Sequence, residues 1–127
     1  MKRTFSLSPT TLNEFLDCPC CFYLKMNRGI KRPRGIFPSL PSGMDAVIKK
    51  YFDEHRKAGT VPKEIEPSGF SLFANQEKLD LWRNPFKGGF QWTDSEGNVL
   101  KGAPDEIIEK EGTSAILDHK TRGTAPA

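Results

Sequence analysis

Leu12, Phe15 and Leu16 recur at the i, i+3, i+4 spacing of a buried helical stripe, and Ser8-Pro9 ahead of them supplies an N-cap and a first-turn proline. A short helix is expected there. Cys18-Pro19 interrupts it, and Phe22-Tyr23-Leu24 continues as another helical turn or two before Gly29. Prolines at 33, 38 and 41 predict an extended, ordered connector from Lys31 to Ser42, anchored by Ile36, Phe37 and Leu40. The clearest helix runs from about Gly43 to Ala58, between Ser42 as N-cap and Gly59 at the turn-off. Met44, Val47, Ile48, Tyr51, Phe52 and His55 share one face, which must pack on something large. Lys49, Lys50, Asp53, Glu54 and Arg56 fall mainly on the other. His55, at the end of the apolar face, reads as a partly buried or capping histidine.

Residues 60–74 read as a loop that turns Phe70, Leu72 and Phe73 inward. Asn75 to Arg83 spaces Leu79 and Trp82 for a short helix that Asn84-Pro85 stops. The period then changes. Phe90-Gln91-Trp92 and Val99-Leu100 flank the turn residues Asp94 to Asn98, and two further strand-like runs, Pro104 to Lys110 and Thr113 to Thr121, flank Glu111-Gly112. The expected product is a three-stranded antiparallel β-meander with the N-terminal helices packed on it, an α+β fold.

At 127 residues the chain suits one domain spanning 1–127, and no repeat or low-complexity tract divides it. No apolar run approaches the roughly 18 residues that cross a bilayer, and the polar start does not resemble a secretory leader. A cytoplasmic protein without a membrane partner is expected. The net charge of +3 is too small to argue for nucleic acid alone. However, Lys25, Arg28, Lys31, Arg32 and Arg34 follow one another with no carboxylate between them, either as a solvated loop or as a grip on phosphates. The three cysteines, Cys18, Cys20 and Cys21, are too close together to staple a fold, which suits a reducing compartment. Cys18 and Cys21 have the CxxC spacing of zinc or iron–sulfur ligands, but the remaining ligands would have to come from outside this chain. The plainer reading is small hydrophobes between helices.

The Glu111-Gly112 loop carries a geometric expectation. As a two-residue hairpin turn it pairs Lys110 with Thr113 and, counting back along both strands, Asp105 with Asp118. Two carboxylates about 5 Å apart at Cβ repel unless a positive charge lies between them. A divalent cation such as Mg²⁺ would supply it, taking oxygen ligands and keeping sites for water and a phosphate oxygen. Lys120 projects from the same face roughly 6 to 7 Å along the strand. It would orient or stabilise an attacking hydroxide, or balance charge on a phosphorane-like transition state. Taken alone, Asp118 and Lys120 make an ordinary strand-end ion pair, with Asp105 a turn residue after Pro104.

The joint pattern is more specific. Gly102-Ala103-Pro104-Asp105-Glu106-Ile107, a strand-turn-strand, and then Ile116-Leu117-Asp118-His119-Lys120-Thr121 resemble the Gly-x-x-Asp-x-Ile and Asp-x-Lys-Thr motifs of the PD-(D/E)XK nuclease superfamily. The RecB-like, CRISPR-associated exonuclease-like branch is the nearest in pattern. Ser6-Leu7-Ser8-Pro9-Thr10-Thr11-Leu12-Asn13-Glu14-Phe15 with Cys18-Pro19 and Phe22-Tyr23-Leu24 is similar to the opening helix of that branch. The resemblance implies a restriction-endonuclease-like core and Mg²⁺- or Mn²⁺-dependent hydrolysis of phosphodiesters, in DNA. It implies Asp105 and Asp118 as metal ligands, Lys120 as the motif lysine and the His119 backbone carbonyl as a further ligand. The histidine the branch carries on the helix before the sheet is replaced by Val47, which leaves Asp45 as a weak substitute. The family's fold continues after the lysine motif with a Gln-x-x-x-Tyr helix and more strands, so the C-terminal part is expected to be missing here. Two other readings stand beside the nuclease: an inactive nucleic-acid-binding module of the same fold, and a fragment with a structural Cys18/Cys21 metal site.

Overall fold

The computed structural model describes residues 2–36, 39–87 and 89–121, without the side chains of residues 39 and 40. A two-residue strand β1 (Ser6–Leu7) leads into helix α1 (Pro9–Asp17), where Ser8 Oγ accepts the Thr11 N–H at 3.3 Å. Cys18 both ends α1 and begins α2 (Pro19–Arg28). Its N–H donates to the Glu14 carbonyl while its Sγ accepts the Cys21 N–H at 3.3 Å. Gly29, at φ 70°, closes α2, which is longer than the one or two turns expected.

Helix α3 (Ser39–Ala58) starts ahead of the expected Gly43. Pro41 does not forbid it, because in the first turn an amide has no intrahelical acceptor to lose. The extended connector is correspondingly shorter. Ile36 is 100% exposed and anchors nothing; Phe37 lies outside the described residues, and the Leu40 side chain is not described. After a 3₁₀ turn at Glu66–Ser68 come β2 (Ser71–Leu72) and α4 (Gln76–Arg83), the latter capped by Asn75 Oδ1, which accepts the Lys78 N–H at 2.9 Å. Two hairpins follow: β3 (Phe90–Thr93) with β4 (Val99–Gly102), and β5 (Glu106–Lys110) with β6 (Thr113–Leu117).

The fold is mixed α+β, but the expected single meander is split into two sheets. β1 pairs in parallel with β4, giving the order β1-β4-β3; β2 pairs antiparallel with β5, giving β2-β5-β6. Pro104, between β4 and β5, has no N–H to offer a ladder, and the chain passes there from one sheet to the other. Gly89 is required where the β3 end closes on β4: at φ 70° a side-chain Cβ would stand 2.7 Å from the Gly102 carbonyl oxygen.

The core lies between α3 and the second sheet. Phe52, Ile65 and Ile108 are buried, with Ile48, Tyr51, Phe70, Leu72, Ala115 and Leu117 packed around them, and Leu79 of α4 is fully buried beside β5. Short strands cover only part of the α3 face, so Met44 and Val47 remain exposed. The expected α1 stripe is not a core stripe either. α1 packs chiefly on α2, with Phe15 edge-on to Phe22 at 5.4 Å, and Leu16 is 77% exposed. His55 is partly buried, with its ring Nδ1 2.7 Å from Thr60 Oγ1, while the Thr60 N–H donates to the His55 carbonyl at the end of α3. No described helix is long and apolar enough to cross a membrane.

Candidate active site

Glu111 at φ 48° and Gly112 at φ 78° give the β5–β6 turn two consecutive left-handed residues, the signature of a type I′ hairpin. The register is the one the loop length demands, from Lys110↔Thr113 to Glu106↔Leu117. One step further along the same register stand Asp105 and Asp118. β6 ends at Leu117 rather than reaching Thr121, so both acids sit just past the ladder, on irregular backbone.

The structure brings the two together. The Asp118 carboxyl lies within hydrogen-bonding reach of Asp105, and the His119 backbone N–H donates to Asp105 Oδ2 at 2.9 Å. This is the contact His119 makes with the site; its ring packs tilted on Phe52 at 4.9 Å, with a buried Nε2 that has no hydrogen-bond partner. Lys120 reaches back to Asp118 Oδ2 at 2.5 Å from an 83% exposed position. That contact holds its ammonium above the usual lysine range, with Asp105 and Asp45 adding to the local field.

Asp45 also belongs to the cluster, but through a residue the sequence pattern assigned to the solvent side of α3. Lys49 Nζ lies 2.8 Å from Asp45 Oδ2 and 3.1 Å from Asp105 Oδ1. Burial opposes its charge, yet the two carboxylates keep its ammonium above the ordinary lysine range. For Asp105 burial pushes the carboxyl up, and the His119 amide, Lys49 and Asp118 outweigh it, leaving the group below the usual aspartate range. The signal that places Lys49 here was available only as an Asp-x-x-x-Lys spacing, an i, i+4 pair common on solvated helices.

A second set of charges, unnoticed in the sequence, supports Asp105 from behind. Glu106 is 0% exposed and is gripped by Arg56 of α3 and by Arg83 of α4, the latter at 3.0 Å; Arg83 also pairs with Asp53 at 2.9 Å. Arg83 Nε donates to the Asp105 carbonyl at 2.8 Å, and Arg56 Nε donates to the Phe73 carbonyl. Two helices and a strand are thus tied to the backbone of the residue that carries the site. The alternation rule alone puts Asp105 and Glu106 on opposite faces, one toward the cluster and one toward the arginines.

Among the described residues no three His, Cys, Asp or Glu side chains converge as the ligands of an ion do. Asp45 and Asp105 converge on the Lys49 ammonium instead. The donor set still suits a hard divalent ion, since Mg²⁺ commonly takes one or two carboxylates and completes its shell with water. Asp118 also borders a groove of about 560 Å³ walled by Leu12, Phe90, Trp92, Leu100 and Ile116, in which Trp92 is 64% exposed.

The basic run is brought together in part. Lys25, paired with Glu14 at 2.6 Å, lines one small pocket together with Cys21, Lys31, Arg32 and Arg34, while Arg28 is exposed at the end of α2 and does not line it. Cys18 and Cys21 meet across the first turn of α2, without a third ligand for zinc or a cluster among the described residues. Compared with protein-family models, curated proteins and solved structures, the chain matches none.

Proposed function

We propose that this chain carries the acid cluster of a metal-dependent nuclease, hydrolysing phosphodiester bonds of DNA on a restriction-endonuclease-like core. The observation that carries this reading is the meeting of Asp105 and Asp118 at the open end of one hairpin, with two lysines against them. Carboxylates so placed are stable only beside positive charge, and Lys49 and Lys120 supply it in the absence of an ion. A bound Mg²⁺ or Mn²⁺ would supply Lewis-acid polarisation of the phosphate and a more acidic water. Asp105 and Asp118 would hold it, and Asp45 would take over Lys49. Lys120, largely in solvent and paired with Asp118, would turn toward charge that builds on the phosphate oxygens once the ion holds Asp118. The neighbouring groove gives a nucleobase an aromatic wall to stack on, worth about 1–3 kcal/mol per base.

The test is cleavage of labelled single-stranded and duplex DNA and of RNA of the same sequence, with Mg²⁺, Mn²⁺ or chelator. Cleavage that needs the ion and disappears in Asp118→Asn, with the circular dichroism spectrum unchanged, supports the assignment. Equal cleavage by variant and parent chain would overturn it.

One observation favours a second reading. The two lysines already neutralise the acids, so the cluster is complete as an ion-pair network, and the chain would serve as a binding module of the same fold. Salt-sensitive DNA binding without cleavage under any divalent ion is the outcome that selects it.

A further inference from the structure

The first turn of α2 assembles a different chemistry from that of the acid cluster, and its geometry owes nothing to the nuclease reading. Cys18 occupies the N-cap, so its sulfur sits where the unpaired amides of the helix point; the Cys21 N–H donates to it at 3.3 Å. Cys21 follows three residues later, where helical neighbours have Cβ atoms about 5–6 Å apart; a disulfide needs about 3.5–4.5 Å, so the bond closes with a small shift of the extended N-cap residue Cys18 toward Cys21. Arg32 borders the same small pocket as Cys21, and its positive charge favours the thiolate form of Cys18. Around Cys21 opens a pocket of about 180 Å³ bordered by Lys31, Arg32 and Arg34, with Lys25 held back by Glu14. Cys20, on the same turn, is exposed and caps nothing.

We propose that Cys18 and Cys21 form a thiol–disulfide exchange site for anionic low-molecular-weight disulfides, closing into an intramolecular Cys18–Cys21 bond. The Cys18 thiolate attacks one sulfur of the incoming disulfide; that S–S bond breaks, and the departing thiolate takes up the proton Cys18 released. Cys21, deprotonated in turn, attacks Cys18 Sγ and expels the second thiol. The chain loses two electrons and two protons, and the small disulfide gains both as two thiols. Arg32 and the helix amides stabilise the attacking sulfur, and the basic rim attracts carboxylates on the incoming molecule. The Cys18 thiol is lowered to about 7 by its contacts with Cys21 and Arg32, which suits an attacking thiol at neutral pH.

The probe is oxidised glutathione, with cystamine as the cationic comparator, each reacted with the reduced full chain, followed by alkylation, intact mass and peptide mapping. The expected product is a Cys18–Cys21 bond with Cys20 alkylated. In Cys21→Ser or Cys21→Ala the reaction stops at a glutathione adduct on Cys18. Arg32→Ala slows the glutathione reaction about tenfold or more and leaves cystamine little affected, each rate referred to that of a free cysteine peptide. An adduct that spreads onto Cys20 as fast as Cys18 would overturn the proposal. Equal relative rates for the two disulfides in the parent chain would overturn it as well. Both Cys21 variants are checked for an unchanged helical spectrum, and an adduct that fails to accumulate in either folded variant counts against the second step.

Discussion

Lys49 of α3 reaches Asp105 at the head of β5, its Nζ 3.1 Å from Oδ1, while also bonding Asp45 one turn back on its own helix. An ammonium in that place competes with any divalent ion drawn to the same oxygens. Lys49→Met is therefore expected to tighten Mn²⁺ binding, on the order of tenfold, since a charge within about 4 Å is removed from a partly buried site. Calorimetry or the electron-spin signal of free Mn²⁺ measures it. Weaker binding in the variant would mean that Lys49 organises the acids rather than occupying the ion's place.

Glu106 is the structural counterpart of the site. Glu106→Gln takes from Arg56, whose side chain is 3% exposed, its fully buried carboxylate and leaves it the more exposed Asp53 at 2.6 Å. A loss near the lower end of the roughly 3–5 kcal/mol that follows removal of one member of a buried ion pair is expected, because Asp53 still compensates part of the charge. Urea or guanidinium titration reads it, and pairing the change with Arg56→Met should recover part of the loss because the stranded charge goes with it. A Glu106→Gln chain as stable as the parent would show that the network contributes nothing net.

Acid should weaken the fold in part through Asp105. A carboxyl held below its unfolded value stabilises the folded chain at all pH above that unfolded value, about 3.9, and the contribution is lost as pH falls through the folded value. Unfolding midpoints recorded without divalent ions are expected to hold steady from neutrality to about pH 5 and to drop below about pH 4. In Asp105→Asn that drop should be shallower. The same acid limb in both chains would assign it to other carboxylates.

Replacing Lys31, Arg32 and Arg34 together by Ala should flatten the dependence of duplex-DNA affinity on salt, by about 0.9 in log–log slope for each phosphate no longer neutralised. Lys25→Ala should change it little, because Glu14 already neutralises that lysine. Fluorescence anisotropy at several salt concentrations separates the two. A slope that ignores the triple change would make the segment a solvated loop.

The local rules were readable in the sequence wherever one or two residues decide the geometry. Ser8-Pro9 placed the start of α1, Gly29 and Gly59 marked the ends of α2 and α3, and the two-residue loop at Glu111-Gly112 set the β5–β6 register and with it the meeting of Asp105 and Asp118. What failed depends on contacts between segments remote in the chain. The parallel pairing of Ser6-Leu7 with Val99-Leu100 joins two short runs with no shared pattern, and it splits the anticipated meander. The arginines that hold Glu106 come from α3 and α4, each with an amphipathic position that fits a solvated helix equally well. Lys49 was missed for the same reason: its partner Asp105 lies on another element.

The tight turn at 111–112 has one more implication, for how the protein tolerates change. Because side chains alternate along a strand, a residue added there that the loop did not absorb as a bulge would slip β6 by one step and turn every later position of the hairpin over. Asp118 would then look away from Asp105 while Ile116 and Leu117 exchanged inside for outside. Two added residues would restore the alternation at the expense only of a looser loop. The hairpin thus accepts an odd change in length only where the loop itself takes up the extra residue, a restriction most surface loops escape.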